Sequence, residues 1–253
     1  MAIEKNVATG GYLDSQGTPS PELLSEFQFV DSSIGAFTSE LNKRGLLDST
    51  LIVITAKHGQ SPIDPKLYKG IFGSSDGITT SPATILESLI PFSESPANTN
   101  GIGPTEDDVS LIWLTDSSTL PTALGDLEPG NLADAGIGEI FSGPALSINY
   151  NTPGLPPTGD PRTPDIIVTP NIGVTYSTST KKQAEHGGFA HDDVNVVMLL
   201  SNPEFSPLTV NDPVTTMQVA PTILRALGLD PHALQSVQKE GTQVLPDVPL
   251  RTF

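Results

Sequence analysis

The chain has 253 residues, enough for one large domain or for one domain with an inserted lobe. Its formal charge of −17, from 12 basic and 29 acidic residues, repels nucleic-acid phosphates and anionic membranes and leaves metals and cationic groups as better-matched partners. There is no cysteine, which excludes disulfides and thiolate metal sites, and the 24 prolines and 23 glycines must fall mostly in loops. No apolar run reaches the length of a membrane span, and residues 1–20 lack the apolar core of a signal peptide, so any export signal is expected upstream of Met1.

Residues 1–19 have no periodicity and read as an arm or loop. Ser20 and Pro21 then supply a helix start, a side-chain oxygen for the free amides and a ring whose φ suits the first turn. Leu23, Phe27, Val30, Ile34, Phe37 and Leu41 follow at spacings of four and three, one apolar stripe that predicts a helix packed on a sheet. Lys43, Arg44 and Gly45 close it, cations at the negative end and a glycine for the left-handed cap.

Leu51, Ile52, Val53 and Ile54 are apolar without alternation, the pattern of a strand covered on both faces. The run stops at Lys57, His58 and Gly59, where an open α/β sheet would place a ligand. From Ser61 to Asp108 the composition favours loops, with one short helix near residues 82–89. Residues 108–116 read as a strand carrying the only Trp, residues 121–141 as a helical region interrupted at Glu128-Pro129-Gly130, and residues 145–149 as a short strand. Two further apolar strands are expected at 165–169 and 194–200. Between them lies AEHGGFAHDD, which sets His186 in a Gly-rich loop and His191, Asp192 and Asp193 directly before the second strand. The last helix is expected over residues 214–227, kinked at Pro221 and ended by Gly228, and His232 reads as a surface histidine.

Four blocks, GLLDSTLIVITAKHG, RTPDIIVTPNIGVTY, EHGG and QVAPTILRALGLDP, occur in an order and spacing that resemble the type I phosphodiesterase and nucleotide pyrophosphatase branch of the alkaline phosphatase superfamily. The resemblance covers residues 20–62 and 162–246. It implies an α/β fold with a mostly parallel sheet flanked by helices, whose core is residues 1–62 and 162–253. Residues 63–161 match no block of the family; by their composition and elements they read as an inserted α+β lobe capping the sheet's active edge, or else as part of one continuous sheet with long connections. The resemblance further implies hydrolysis of a phosphate-ester small molecule with Zn²⁺ or another divalent metal, in a secreted or extracytoplasmic setting.

Carried onto this sequence, the resemblance makes His58 and His186 metal ligands and Asp14 a third, with His191 and Asp192 supporting them. Three departures stand beside it. The family's metal-binding aspartate before the first histidine is here Lys57, a cation that pairs with phosphate but does not coordinate a metal while protonated. The companion of Asp14 falls on Gly10. The family's nucleophilic Thr or Ser belongs to an N-terminal half that residues 1–19 are too short to supply. Two functions follow: the C-terminal portion of a metal-dependent hydrolase, weak or inactive without its other half, or a catalytically silent binding protein on the same fold.

Overall fold

The computed structural model describes residues 11–71, 78–90, 103–128, 135–148, 150–179 and 182–249. The expected Asp14 companion at Gly10 lies outside them. Their strands are β1 (Ile52–Thr55), β2 (Lys69–Gly70), β3 (Thr105–Glu106), β4 (Ser110–Ile112), β5 (Ile137–Ser142), β6 (Ile166–Pro170), β7 (Val174–Thr175) and β8 (Met198–Ser201). Their helices are α1 (Pro21–Lys43), α2 (Pro82–Ile85), α3 (Leu120–Asp126), α4 (His191–Val194), α5 (Val219–Ala226) and α6 (Gln235–Glu240). The chain divides into two compact units, residues 1–24 with 58–195 and residues 25–57 with 196–253.

The first unit is built on a four-stranded antiparallel sheet in the order β3-β4-β6-β5. Ile166, Ile167 and Val168 of β6 are all buried, which is what a run apolar on both faces requires, and β6 accordingly takes a central place. Ile112, Ile137, Ile166 and Val168 pack with Leu86, Ala123 and Leu127 into one continuous core. Ser81 caps α2 through the Thr84 amide, and the Glu106 carboxylate accepts from the Ala83 amide and the Ser110 hydroxyl, tying that helix to the sheet. A separate parallel pair, β2 with β7, carries a smaller cluster of Ile71, Ile78, Val174 and Tyr176.

In the second unit, α1 starts and stops where the sequence places it. Ser20 Oγ accepts the Leu23 amide at 3.1 Å, and Gly45 takes the left-handed conformation with φ +67°. Its apolar stripe is covered only in part, however, with Leu23, Ile34 and Leu41 half-buried. No residue of α1 is buried, and Phe27, Val30 and Phe37 are 46%, 51% and 70% exposed. The expectation that this stripe lies on a sheet is therefore overturned: the 3.6-residue period makes the helix amphipathic, but period alone supplies no partner.

The strands of this unit correct a second expectation. β1 and β8 pair antiparallel, Ile52 opposite Ser201 and Thr55 opposite Met198, where a parallel arrangement was expected. Burial on both faces is the mark of a parallel strand, and neither of these strands contains a buried residue. Past the end of β8 the Asn202 side-chain amide donates to the carbonyls of Asp48 and Thr50, both at 3.0 Å, which ties the close of β8 to the entry of β1. Beyond it, Ala226, Val237 and Leu245 are buried, and the Thr222 hydroxyl links α5 to the tail by donating to the Gln218 carbonyl and accepting from the Leu245 amide.

Other differences have local causes. The expected core-and-lobe boundaries at 62 and 162 do not divide the structure, because β6 shares its sheet with β4 and β5 from the expected lobe. Residues 137–142 form β5, not the end of a helical region: Gly136 at φ +59° breaks the helical path, and a side chain at Gly138 would meet the Pro170 carbonyl at 2.9 Å. Residues 143–148 are a 3-10 turn in place of the expected strand. Residues 191–194 are the helical turn α4, so the strand expected from 194 begins at Met198. Pro221 lies in the first turn of α5, where its missing amide costs no hydrogen bond, and no kink is needed.

Candidate functional site

The first unit brings two distant loops together, 58–63 and 185–193. Ser61 and Glu185 exchange both backbone hydrogen bonds at 2.8 Å, and the amides of Gly59 and Gln60 donate to the carbonyls of Asp193 and Asp192 at 2.6 and 3.1 Å. Asp192 adds its carboxylate, which accepts the Ile63 amide at 2.9 Å. Only glycine fits at position 59, since a Cβ there would lie 1.9 Å from the Asp192 carbonyl oxygen.

This zipper stacks the imidazoles of His58 and His186, their centroids 3.9 Å apart and their planes at 19°. His58 Nδ1 is 2.7 Å from the Gly59 carbonyl; a carbonyl only accepts, so Nδ1 carries the proton and Nε2 keeps the free lone pair that a metal or an acid requires. His58 is half-buried and His186 exposed.

The other expected site residues are placed otherwise. Asp14 holds its own loop together, its Oδ1 accepting from the Gln16 and Thr18 amides at 2.9 and 3.1 Å. The hydrogen bonds from Thr18 hold its carboxyl below the usual carboxylate range. His191 is exposed at the start of α4, 3.7 Å from the Asp192 carboxylate. Lys57 is exposed at the end of the second unit's first segment and has no ion pair among the described residues. His232 is the surface histidine expected, beside Asp230 at 3.2 Å.

Among the described residues no group of three or more His, Asp or Glu side chains is disposed to hold a metal. A catalytic zinc ion takes about three protein donors and keeps one position for water or substrate. Two stacked imidazoles, with Asp14 engaged elsewhere and a lysine at the family's aspartate position, do not fit the two-metal centre that the sequence resemblance implies.

Carboxylates that the sequence reading passed over, or gave only a supporting place, gather instead. Asp108 and Asp193 are both buried on the wall of a cavity of about 240 Å³ that Ser61, Glu139, Phe141 and Phe189 also line. Burial, and after it the neighbouring Asp193, pushes the Asp108 carboxyl up to about 9. Burial likewise raises Asp107, against the opposing pull of Lys182 and His186. Glu185, also buried, is paired with Lys182. An Asp-Asp pair opening a buried strand and another following a Gly-Gly loop were the available signals. Only the tertiary structure puts one beside the other.

The type I phosphodiesterase / nucleotide pyrophosphatase profile matches residues 9–192. The chain belongs to this family. Its matched span runs through residues 63–161, for which the sequence motifs offered no counterpart. No curated protein sequence matches the chain. Among solved structures, human ectonucleotide pyrophosphatase / phosphodiesterase 5 (ENPP5, NPP5) superposes with a TM-score of 0.54 at 14% identity. That superposition covers 83% of this chain and 49% of the other, so the chain spans about half the length of the structure it matches. The fold is thus the α/β, alkaline-phosphatase-like fold of this family, its described sheets mostly antiparallel.

Proposed function

We propose that this chain is the C-terminal portion of a phosphoric-ester hydrolase acting on a phosphodiester or phosphomonoester, and that these 253 residues alone hydrolyse it weakly or not at all. The family match through residues 9–192 carries the reaction class. Phosphoryl transfer in such enzymes needs an activated nucleophile in line with phosphorus, and rate collapses without it. Ser61 is the nearest hydroxyl to His58 in sequence, yet its amide and carbonyl are spent on Glu185 and Pro62 follows it directly. No base is shown bonded to its hydroxyl among the described residues.

The partner that completes the enzyme is, in this reading, the N-terminal half of the same protein. The partly uncovered stripe on α1 supports it, because Phe27, Val30 and Phe37 occupy the positions that a sheet would bury. Lys57 fits the role of a fixed cation for the substrate phosphate, supplying one charge where a metal supplies two. A secreted or extracytoplasmic setting belongs to the same proposal. Among the described residues no helix is long and apolar enough to cross a membrane.

A second reading, a catalytically silent binding protein, is favoured by one observation: among the described residues no third His, Asp or Glu joins His58 and His186 as a metal-binding group. One assay separates the two. A chromogenic phosphodiester with Zn²⁺ or Mn²⁺ is offered to the chain alone, to His58→Ala, and to the chain mixed with the recovered upstream half. The hydrolase reading expects turnover only in the mixture, reduced by His58→Ala. Turnover by the chain alone would show that it contains its own nucleophile, and no turnover in any mixture would leave the silent protein.

A further inference from the structure

Asp108 and Asp193 are 4% and 3% exposed, and among the described residues Asp108 Oδ2 and both oxygens of Asp193 have no hydrogen-bond donor. A buried carboxylate carries a desolvation penalty that must be offset by a donor, a proton or a cation. The basic group nearby supplies this only in part: Lys182 draws on Asp108 electrostatically but is ion-paired with Glu185, and Asp107 adds a third negative group beside the pair. The backbone of Gly188 closes one side: a Cβ there would stand 2.6 Å from Asp193 Oδ2 and 2.9 Å from Asp108 Cβ. The other side opens on the cavity of about 240 Å³.

We propose that Asp108 and Asp193 form a binding site for a hard divalent cation, of the Mg²⁺ or Mn²⁺ class, which they hold through carboxylate oxygens with water from the cavity completing the shell. Carboxylate oxygen without imidazole or thiolate selects hard ions. Two carboxylates are too few for a dehydrated cage, and no third His, Asp or Glu is placed to join them among the described residues. That favours an ion that keeps several waters, as Mg²⁺ does. At roughly 30 Å³ of liquid volume per water, the cavity has room for that shell. The ion balances both charges of the pair. The competing state is a single proton held between the two carboxylates, which balances one. The site does not require the stacked histidines, and the proposal stands whether or not the chain is part of a hydrolase.

The test is Mn²⁺ titration of the full chain at pH 8, following free Mn²⁺ by its electron paramagnetic resonance signal, with Mg²⁺ competition. The expected result is one stoichiometric site, weakened at least tenfold in Asp108→Asn and in Asp193→Asn and kept in His58→Ala. Both Asn variants conserve shape and remove like-charge repulsion, so they should fold. Mn²⁺ should raise the melting temperature of the natural chain and not of these variants. Gly188→Ala, which crowds the pair without touching its charge, should also weaken binding. No stoichiometric site, Mn²⁺ binding lost in His58→Ala but retained in both Asn variants, or a loss no greater than that of the exposed-carboxylate variant Asp126→Asn would each overturn the proposal. They would leave, respectively, a proton-sharing pair, a histidine site, or diffuse attraction to an acidic surface.

Discussion

The two units spend similar apolar sequence very differently. In the first, Leu86, Ile112, Leu127, Ile166 and Val168 are fully enclosed in one cluster. In the second, only Ala226, Val237 and Leu245 are buried among the described hydrophobic residues, while α1, β1 and β8 leave Phe27, Phe37 and Leu199 open. Both units nonetheless form their capped helices and paired strands. Local signals, a cap, a period, a terminal glycine, are enough to set an element, and burial is a separate matter decided by what else is at hand. A two-stranded pair such as β1 with β8 is marginal by itself, whereas the four strands β3-β4-β6-β5 of the first unit carry a packed face.

The sharpest way to break this contrast is a pair of large-to-small substitutions. Leu127→Ala, in the closed core, should destabilise by about 2–5 kcal/mol, read from urea unfolding midpoints. If it costs less than about 1 kcal/mol, well below the range for a buried leucine, the first unit is not the packed one. Next in size, Gly59→Ala forces a methyl group onto the Asp192 carbonyl and should cost about 1–3 kcal/mol while separating the His58 and His186 loops, visible as a change in their imidazole NMR shifts. Asn202→Ala should cost about 1–3 kcal/mol, since it strips the Asp48 and Thr50 carbonyls of a buried donor, and it would show how far the second unit leans on a polar clamp in place of a core.

A pH series sharpens the comparison further. The Asp108 carboxyl is raised from an ordinary 3.8 to about 9 in the folded chain, so the unfolded chain releases that proton first. Stability from this group is complete below about pH 4 and is lost as pH rises toward 9. With a chelator present, the urea midpoint of the natural chain should fall between pH 5 and pH 8, and that of Asp108→Asn should fall less. The smallest effect is expected at Phe37→Ala, within about 0.5 kcal/mol for the chain alone because the ring is 70% exposed. A cost of about 3 kcal/mol or more would mean that α1 is covered after all.

How much of this was legible in the sequence follows the same division. Ser20, Gly45 and Gly228 placed helix ends well, because these are short-range effects of φ and amide supply, whereas the six-residue stripe gave the helix but not a buried face. The family, the α/β class and the meeting of His58 with His186 followed from motif order. Strand direction did not, since Ile52–Thr55 and Met198–Ser201 are equally apolar whichever way they run, and their pairing joins segments far apart in sequence. Of the two organisations left open for residues 63–161, the continuous sheet is the one that the pairing of β6 with β4 and β5 fits, and composition alone could not choose between them. The Asp108 and Asp193 pair was illegible for the plainest reason: each is an ordinary loop-edge aspartate until the fold brings the other beside it.

The backbone zipper between residues 59–61 and 185–193 has a kinetic corollary. Ser61 and Glu185 each protect the other's amide, and the Gly59 and Gln60 amides are held by the same opposing strand of chain. These four amides cannot exchange with solvent one at a time, because freeing any of them means parting the two loops. They should report a single opening rate in hydrogen–deuterium exchange, and that rate is also the frequency with which the two imidazoles come apart.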